Sequence, residues 1–295
     1  MIRSMRRIIL ILGLIIAETI FAQPIVAADH FDTLQAQLIK DGFKPDYIKM
    51  LYGSTRTIFD VDTASYYFIQ RESKMNYGQF LEASAIKKAA RYLERFNGIF
   101  TDIEERYSVP KEIIAAILLV ETRLGRVTGN KSILNTLSTL AALDDQRNKN
   151  YLLSTLKKKQ LKISQKRISK WANRKSKWAY KELKAYLTYA AHNNIDPLAL
   201  RGSYAGALGF AQFLPSNVLR YGRDGNGDGR IDLFHHLDAI ESIAYFLEGH
   251  GWKQNISRKN AEKVLFAYNR SIYYVNTILS VADKLRGGLV LSGSG

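Results

Sequence analysis

Apolar residues three and four positions apart recur through most of this chain, and that period restricts the fold to packed helices. Between Asp29 and about Met50, Phe31, Leu34, Leu38 and Ile39 mark one side of a short amphipathic helix. From Phe80 to Tyr107 the same period runs through Leu81, Ile86, Ala89, Leu93, Phe96, Ile99, Phe100 and Ile103, which predicts one long helix. Pro110 restarts a helix where its missing N–H costs least, and that helix is expected to run through Leu124 and stop at Gly125. Two more are expected around Leu237–His250 and Lys259–Leu285. Only Phe59–Met75, rich in Thr, Tyr and Phe, reads as extended. A central sheet would need strands that are not visible, and there is no internal repeat, so the fold class expected is mainly α.

Within the Pro110 helix, Ile113, Ile114, Ile117, Leu118 and Leu124 form an apolar stripe, and Glu121 lies on it. A carboxyl group held on such a face loses water, which disfavours its charged form. A carboxylic acid that keeps its proton near neutral pH is what a general acid on a glycosidic oxygen requires. The spacing also allows a plainer role, because a glutamate near a helix end often pairs with arginine, and Arg123 and Arg126 are close in sequence.

The net charge of +16 sets up a field that attracts polyanions: nucleic acid, anionic lipid, or an acidic polymer such as peptidoglycan. The N-terminus chooses among these. Arg3, Arg6 and Arg7 precede an apolar run from Ile8 to Ala17, and Val26, Ala27 and Ala28 follow, which describes a secretory signal over residues 1–28. Left uncleaved, the segment would anchor the chain to a membrane. Export to the periplasm argues against a nucleic-acid partner, and no nucleic-acid-binding module is recognised. There is no cysteine, hence no disulfide, no thiolate metal site, no cysteine nucleophile and no lipidation cysteine. Residues 29–295 are expected to form one domain with a basic helical insertion at about 147–195, where Trp171, Trp178, Tyr180, Leu183 and Leu187 alternate with Lys and Arg. That insertion reads equally as a solvated helical lobe or as a polyanion-binding surface.

Asp224-Gly-Asn226-Gly-Asp228-Gly229-Arg230-Ile231-Asp232 offers oxygen ligands at alternate positions and a glycine at the sixth, as the first part of an EF-hand loop does. Position seven would contribute the Arg230 carbonyl. The twelfth position is His235, not the expected glutamate, and Asp238 is the next acid that could close the shell. Without metal the same residues make a solvated Asp/Gly turn.

Four motifs occur together and in order: Val120–Arg126 with Gly129 and Ile133–Leu137; Gly202–Ser216; the Asp224 loop running into Asp238-Ala239-Ile240, Tyr245 and His250-Gly251-Trp252; and Tyr268-Asn269-Arg270-Ser271 with Tyr274. In these the chain resembles the lytic murein transglycosylases of the membrane-bound B type, a branch of the lysozyme-like fold, over roughly Asp29–Leu285. The resemblance implies a lysozyme-like helical domain with an EF-hand-like loop and a basic helical satellite lobe. It places the catalytic glutamate at Glu121 and glycan-cleft residues at Gln212, Tyr245 and Tyr268, with Ser203, Tyr204, Ser216 and Asn269 in the same motifs. Tyr151 matches a further cleft tyrosine across a one-residue gap. The family's loop metal, taken as calcium, would be held by Asp224, Asn226, Asp228, the Arg230 carbonyl and Asp238.

The chemistry implied is cleavage of the MurNAc–GlcNAc bond of peptidoglycan with a 1,6-anhydro end, Glu121 serving as acid and then base. Attack by the sugar's own C6 hydroxyl explains why no second carboxylate is needed. A goose-type lysozyme would use the same acid with water as acceptor, and a non-catalytic wall-binding protein would keep only the cleft. Other cell-wall enzymes are conceivable partners.

Overall fold

The computed structural model describes residues 30–70, 76–161 and 163–292. The expected signal segment, residues 1–28, lies outside the described residues. Thirteen α-helices make up the described part: α1 Asp32–Lys40, α2 Pro45–Tyr52, α3 Val61–Ile69, α4 Ala83–Arg95, α5 Asn97–Tyr107, α6 Lys111–Thr122, α7 Ile133–Ala141, α8 Gln146–Lys158, α9 Gln165–His192, α10 Pro215–Tyr221, α11 His236–Gly249, α12 Arg258–Tyr268 and α13 Ile272–Ser292. No described helix is long and apolar enough to cross a membrane.

The fold is arranged around α6 and α7. In α6 every residue from Glu112 to Val120 is buried, and in α7 all nine residues are. A helix apolar on all sides needs neighbours on all sides. Helices α4, α5, α11 and α13 pack on α6, while α3 and α9 pack on α7. The basic region expected as a lobe is α8 and α9. Ile168, Ala172, Leu183, Tyr186 and Leu187 of α9 join the same buried cluster as α6, and the cations occupy the outward faces. A buried carboxylate fastens α9 to α10: Glu182 accepts from the Ser216 amide at 2.9 Å and the Ser216 hydroxyl at 2.8 Å. Among the described residues, sheet is confined to β1 Lys131–Ser132 paired antiparallel with β2 Arg201–Gly202, in the register Lys131 opposite Gly202.

Several sequence expectations are corrected. The first helix is two, because Gly42 takes a left-handed conformation (φ +99°) and Pro45 then opens α2. The segment expected to be extended holds helix α3. Asp60 caps it, accepting from the Thr63 amide at 2.9 Å, and burial of Val61 and Ala64 outweighs the strand preference of its Thr and Tyr residues. The long helix predicted over Phe80–Tyr107 is a 3-10 turn, Tyr77–Leu81, followed by α4 and α5, which meet at Phe96 (φ −110°, ψ 23°). The last predicted helix is α12 and α13, parted at Asn269, whose backbone is extended.

Ile117 is fully buried in α6. Ile117→Ala is expected to destabilise the fold by about 2–5 kcal/mol, read as a lower midpoint in chemical denaturation with an unchanged slope.

Candidate active site

Glu121 occupies the last turn of α6, where the buried helix reaches the surface, and it is half-buried. The helix ends two residues earlier than its sequence suggests. Arg123, Leu124 and Gly125 are all left-handed, with φ of 51°, 62° and 88°. The Leu124 amide returns to the Leu118 carbonyl at 2.9 Å, closing the helix as a Schellman-type turn does. Two consecutive non-glycine residues in this conformation are strained, so something must hold them. Thr122 does so. Its buried hydroxyl donates to the Phe210 carbonyl at 3.0 Å and accepts from the Gly125 amide at 3.0 Å. The turn after the acid is thereby fixed to the glycine-rich segment.

That segment forms the facing wall. Gly129 (φ +92°) lies so close to it that a Cβ there would come within 2.2 Å of the Gly202 carbonyl oxygen. At Gly209 (φ +72°) a Cβ would stand 2.3 Å from that of Leu233. Gln212 is left-handed too (φ 49°), and its side-chain amide donates to the carbonyls of Gly209 at 2.8 Å and Thr128 at 3.1 Å. Ser203 and Tyr204 join Gln212 in lining a cavity of about 590 Å³, with Tyr66, Thr63 and Lys131. The Ser203 hydroxyl accepts from the amides of Ala205 and Ala207. The Tyr204 ring stands edge-on to Tyr66, with centroids 4.9 Å apart.

On the side of the C-terminal helices, Tyr268 and Tyr274 lie near the acid. Burial first, and then the Glu121 charge, raise both phenols well above their usual range, so both hydroxyls stay neutral. Tyr268 keeps its ring partly exposed while its hydroxyl donates inward to the Ala211 carbonyl at 2.6 Å. The Tyr274 hydroxyl is buried and faces Glu121; the carboxylate acts on it by charge and as an acceptor, yet the pair falls short of well-aligned hydrogen-bond geometry. Asn269 follows Tyr268 at the end of α12.

Three of the expected cleft residues have partners of their own. The Ser216 hydroxyl is spent on Glu182. Tyr245 packs under the Arg223 guanidinium, 3.3 Å from its ring centroid, near Tyr107 and Tyr221. Tyr151, on α8, stacks on His30 at 5.4 Å and lies 6.0 Å from Phe59. Two tyrosines that the sequence reading passed over do come in. Tyr66 is on α3, which was read as extended, and Tyr77, in the 3-10 turn, is near enough to Tyr274 to act on its ionisation. A helical reading of Val61–Ile69 would have found Tyr66.

In the glycine and aspartate loop the oxygens are those of a hard-cation site by type and order. Asp224 accepts from the amides of Gly227, Asp228 and Gly229, Asn226 from Asp228, and Asp228 from Arg230. Asp238 is fully buried and bridges the loop's two ends, accepting from Gly225 at 3.1 Å and Asp232 at 2.7 Å. Burial raises its pKa, against the lowering effect of those two amides. Among the described residues no three acidic, histidine or cysteine side chains gather as a metal site. The donor set thus fits calcium in chemistry, with its oxygens turned to the loop's own N–H groups.

A family model described as "Transglycosylase SLT domain" matches residues 27–261. The chain is 33% identical over 174 residues to the membrane-bound lytic murein transglycosylase B of Escherichia coli (strain K12), an alignment covering 59% of this chain and 40% of that protein. The chain therefore spans less than half the length of this curated relative. Among solved structures, the Escherichia coli lytic transglycosylase Slt35 in complex with calcium has a TM-score of 0.68 at 21% identity, covering 89% of this chain and 94% of that one. SltB3 from Pseudomonas aeruginosa in complex with NAG-anhNAM-pentapeptide has a TM-score of 0.67 at 18% identity, covering 87% and 78%. These two likenesses establish the lysozyme-like helical fold expected from the motifs.

Thr122→Val keeps the shape of the side chain but leaves the Phe210 carbonyl and the Gly125 amide without their partner. A loss of about 1–3 kcal/mol is expected, measurable by denaturant titration, with a fall in turnover beyond that of an equally destabilised core variant. Turnover equal to that of the core variant would show that the turn does not position Glu121.

Proposed function

The chain belongs to the transglycosylase SLT-domain family, and from that premise we propose that it is a lytic transglycosylase of peptidoglycan in which Glu121 is acid and then base. The observation that carries this reading is the position of Glu121: the end of a buried helix, beside two neutral buried hydroxyls and next to the wall that holds Gln212. Glu121 protonates the oxygen joining MurNAc to GlcNAc, and the bond to C1 breaks as positive charge develops on the sugar. The carboxylate left behind takes the proton of the same sugar's C6 hydroxyl, whose oxygen attacks C1 and closes a 1,6-anhydro ring. An acceptor already attached to the reacting sugar has a high effective concentration, so one carboxyl group suffices. Tyr268 and Tyr274, neutral throughout, border the acid without competing for its proton. Ser203, Tyr204, Tyr66 and Gln212 offer hydroxyl, aromatic and amide contacts to neighbouring sugars. Tyr245, Ser216, Asn269 and Tyr151 would complete the cleft as the motifs imply, Ser216 with its hydroxyl held by Glu182 and Tyr245 with its ring held under Arg223.

The substrate class is supported by the relatives, one of which was solved with a NAG-anhNAM-pentapeptide. The N-terminal segment supports export to the periplasm. Calcium would be held by Asp224, Asn226, Asp228, the Arg230 carbonyl and Asp238, where its charge would offset that of the acids and stiffen the loop between α10 and α11. One solved relative is a calcium complex.

Mass spectrometry of fragments released from purified peptidoglycan is expected to show anhydro-ended muropeptides with the wild type and none with Glu121→Gln. Reducing ends would make the protein a hydrolase, and release by both proteins would remove Glu121 from the chemistry. Calcium added to chelator-treated protein is expected to raise its melting temperature, with a stabilisation of about 2.7 kcal/mol at a hundredfold excess over Kd. Asp224→Asn should abolish the rise; an equal melting temperature with and without calcium in the wild type would exclude the site.

A further inference from the structure

A second cavity, of about 520 Å³, opens between α4 and the turn that follows α6, and cations line both of its walls. Lys88, Arg91 and Arg95 share one face of α4 by their spacing, and Arg123 and Arg126 come from the turn after Glu121. All five are exposed, and none of the ion pairs among the described residues uses any of them. Among the described residues Glu82 is the only acid in the lining. Arg123 donates to the neutral amide oxygen of Gln79 at 2.7 Å, and Arg95 lies over the Phe96 ring at 5.1 Å.

Like charges on facing walls repel, and a concave wall concentrates their field rather than letting water disperse it. An anion seated between the walls would turn this repulsion into attraction. Guanidinium groups present paired N–H donors that match the two oxygens of a carboxylate or phosphate. The location narrows the choice. Gln79 and Phe80 of the lining belong to the 3-10 turn that carries Tyr77 toward Tyr274, and Arg123 follows two residues after Glu121. Two parts of the lining are therefore continuous in the chain with segments that carry Glu121 and Tyr77, which makes a group attached to a sugar bound at Glu121 the natural occupant.

We propose that this pocket binds the carboxylates of the peptides borne by the glycan strand, so that the enzyme holds peptide-bearing strands in preference to bare ones. The proposal rests on the peptidoglycan reading above but not on its chemical step. It goes beyond that reading in assigning the peptide part of the substrate to α4 and to the turn after the acid.

The test is equilibrium binding by the full-length Glu121→Gln protein of soluble glycan strands with intact acidic peptides and of the same strands stripped of them. Peptide-bearing strands are expected to bind about tenfold more tightly, as one or two charge-assisted hydrogen bonds would provide. Adding Arg91→Ala and Arg95→Ala should bring the ratio of the two affinities close to one, while Arg91→Lys and Arg95→Lys should retain most of it. Both positions are exposed, so the fold should tolerate either pair, and circular dichroism verifies it. A ratio near one before the arginines are changed overturns the proposal, as does failure to bind either strand. An equal loss on both strands would reduce the pocket to general attraction and overturns it too. If inorganic phosphate protects the protein from melting only while both arginines are present, and the ratio is near one, the pocket belongs to phosphate instead. A clear peptide preference in a protein whose wild type releases no fragments would refute the lytic reading and leave the pocket standing.

Discussion

The end of α6 is the constraint on which the rest of the site depends. A helix buried on every side delivers a carboxyl group to the surface at its last turn, and the chain must then leave through three left-handed residues. Left-handed Arg123 and Leu124 are tolerable only because the helix carbonyls and Thr122 give the turn fixed partners. Since one of those partners is the Phe210 carbonyl, the acid and the opposite wall of the cleft are set by the same few hydrogen bonds. Thr122 thus stands to Glu121 as a positioning residue whose own chemistry is inert.

The glycine-rich segment is shaped by contact from both sides. At Gly129 and Gly202 two backbones meet with no room for a side chain, and this close approach is continuous with the short β1–β2 pairing. Gln212 then turns back through a left-handed conformation and donates to Thr128, tying the wall to the turn a second time. Below it, Asp238 collects both ends of the calcium-type loop, so α11 begins where the loop ends. Three of the left-handed non-glycine residues, Arg123, Leu124 and Gln212, stand in the two segments that the Thr122 and Gln212 hydrogen bonds join.

Charge is distributed to match. The outward faces of α8 and α9 carry cations that water can solvate, whereas Lys88, Arg91, Arg95, Arg123 and Arg126 enclose a concavity beside the acid. The net charge of +16 is therefore distributed in two ways, as a diffuse positive field on the outer helices and as a local cluster around a concavity.

Much of this was legible in the residues. The period of three and four predicted helices because burial of an apolar stripe is a local property of the pattern, and α6 and α11 lie close to where the spacing put them. Glu121 was legible as an acid on an apolar stripe, though the structure leaves it half-buried at the helix end. The alternation of Asp, Asn and Gly was legible as a tight loop of oxygen-bearing side chains because those residues are near neighbours in the chain. What the sequence could not decide were choices made by distant partners. Val61–Ile69 has residues that suit a strand, yet α7 and α8 offered it a surface on which a helix buries Val61 and Ala64. Ser216 and Tyr245 sit in motifs that suggest the cleft, and those motifs do not reveal that Glu182 and Arg223 are their partners. Tyr66, Tyr77 and the facing cations of α4 and the Arg123 turn become a site only when segments far apart in the chain are packed together. Sequence determined the helices, the acid and the loop, since each follows from residues within a turn or two of one another. Tertiary structure alone decided which side chains face one another across the cleft.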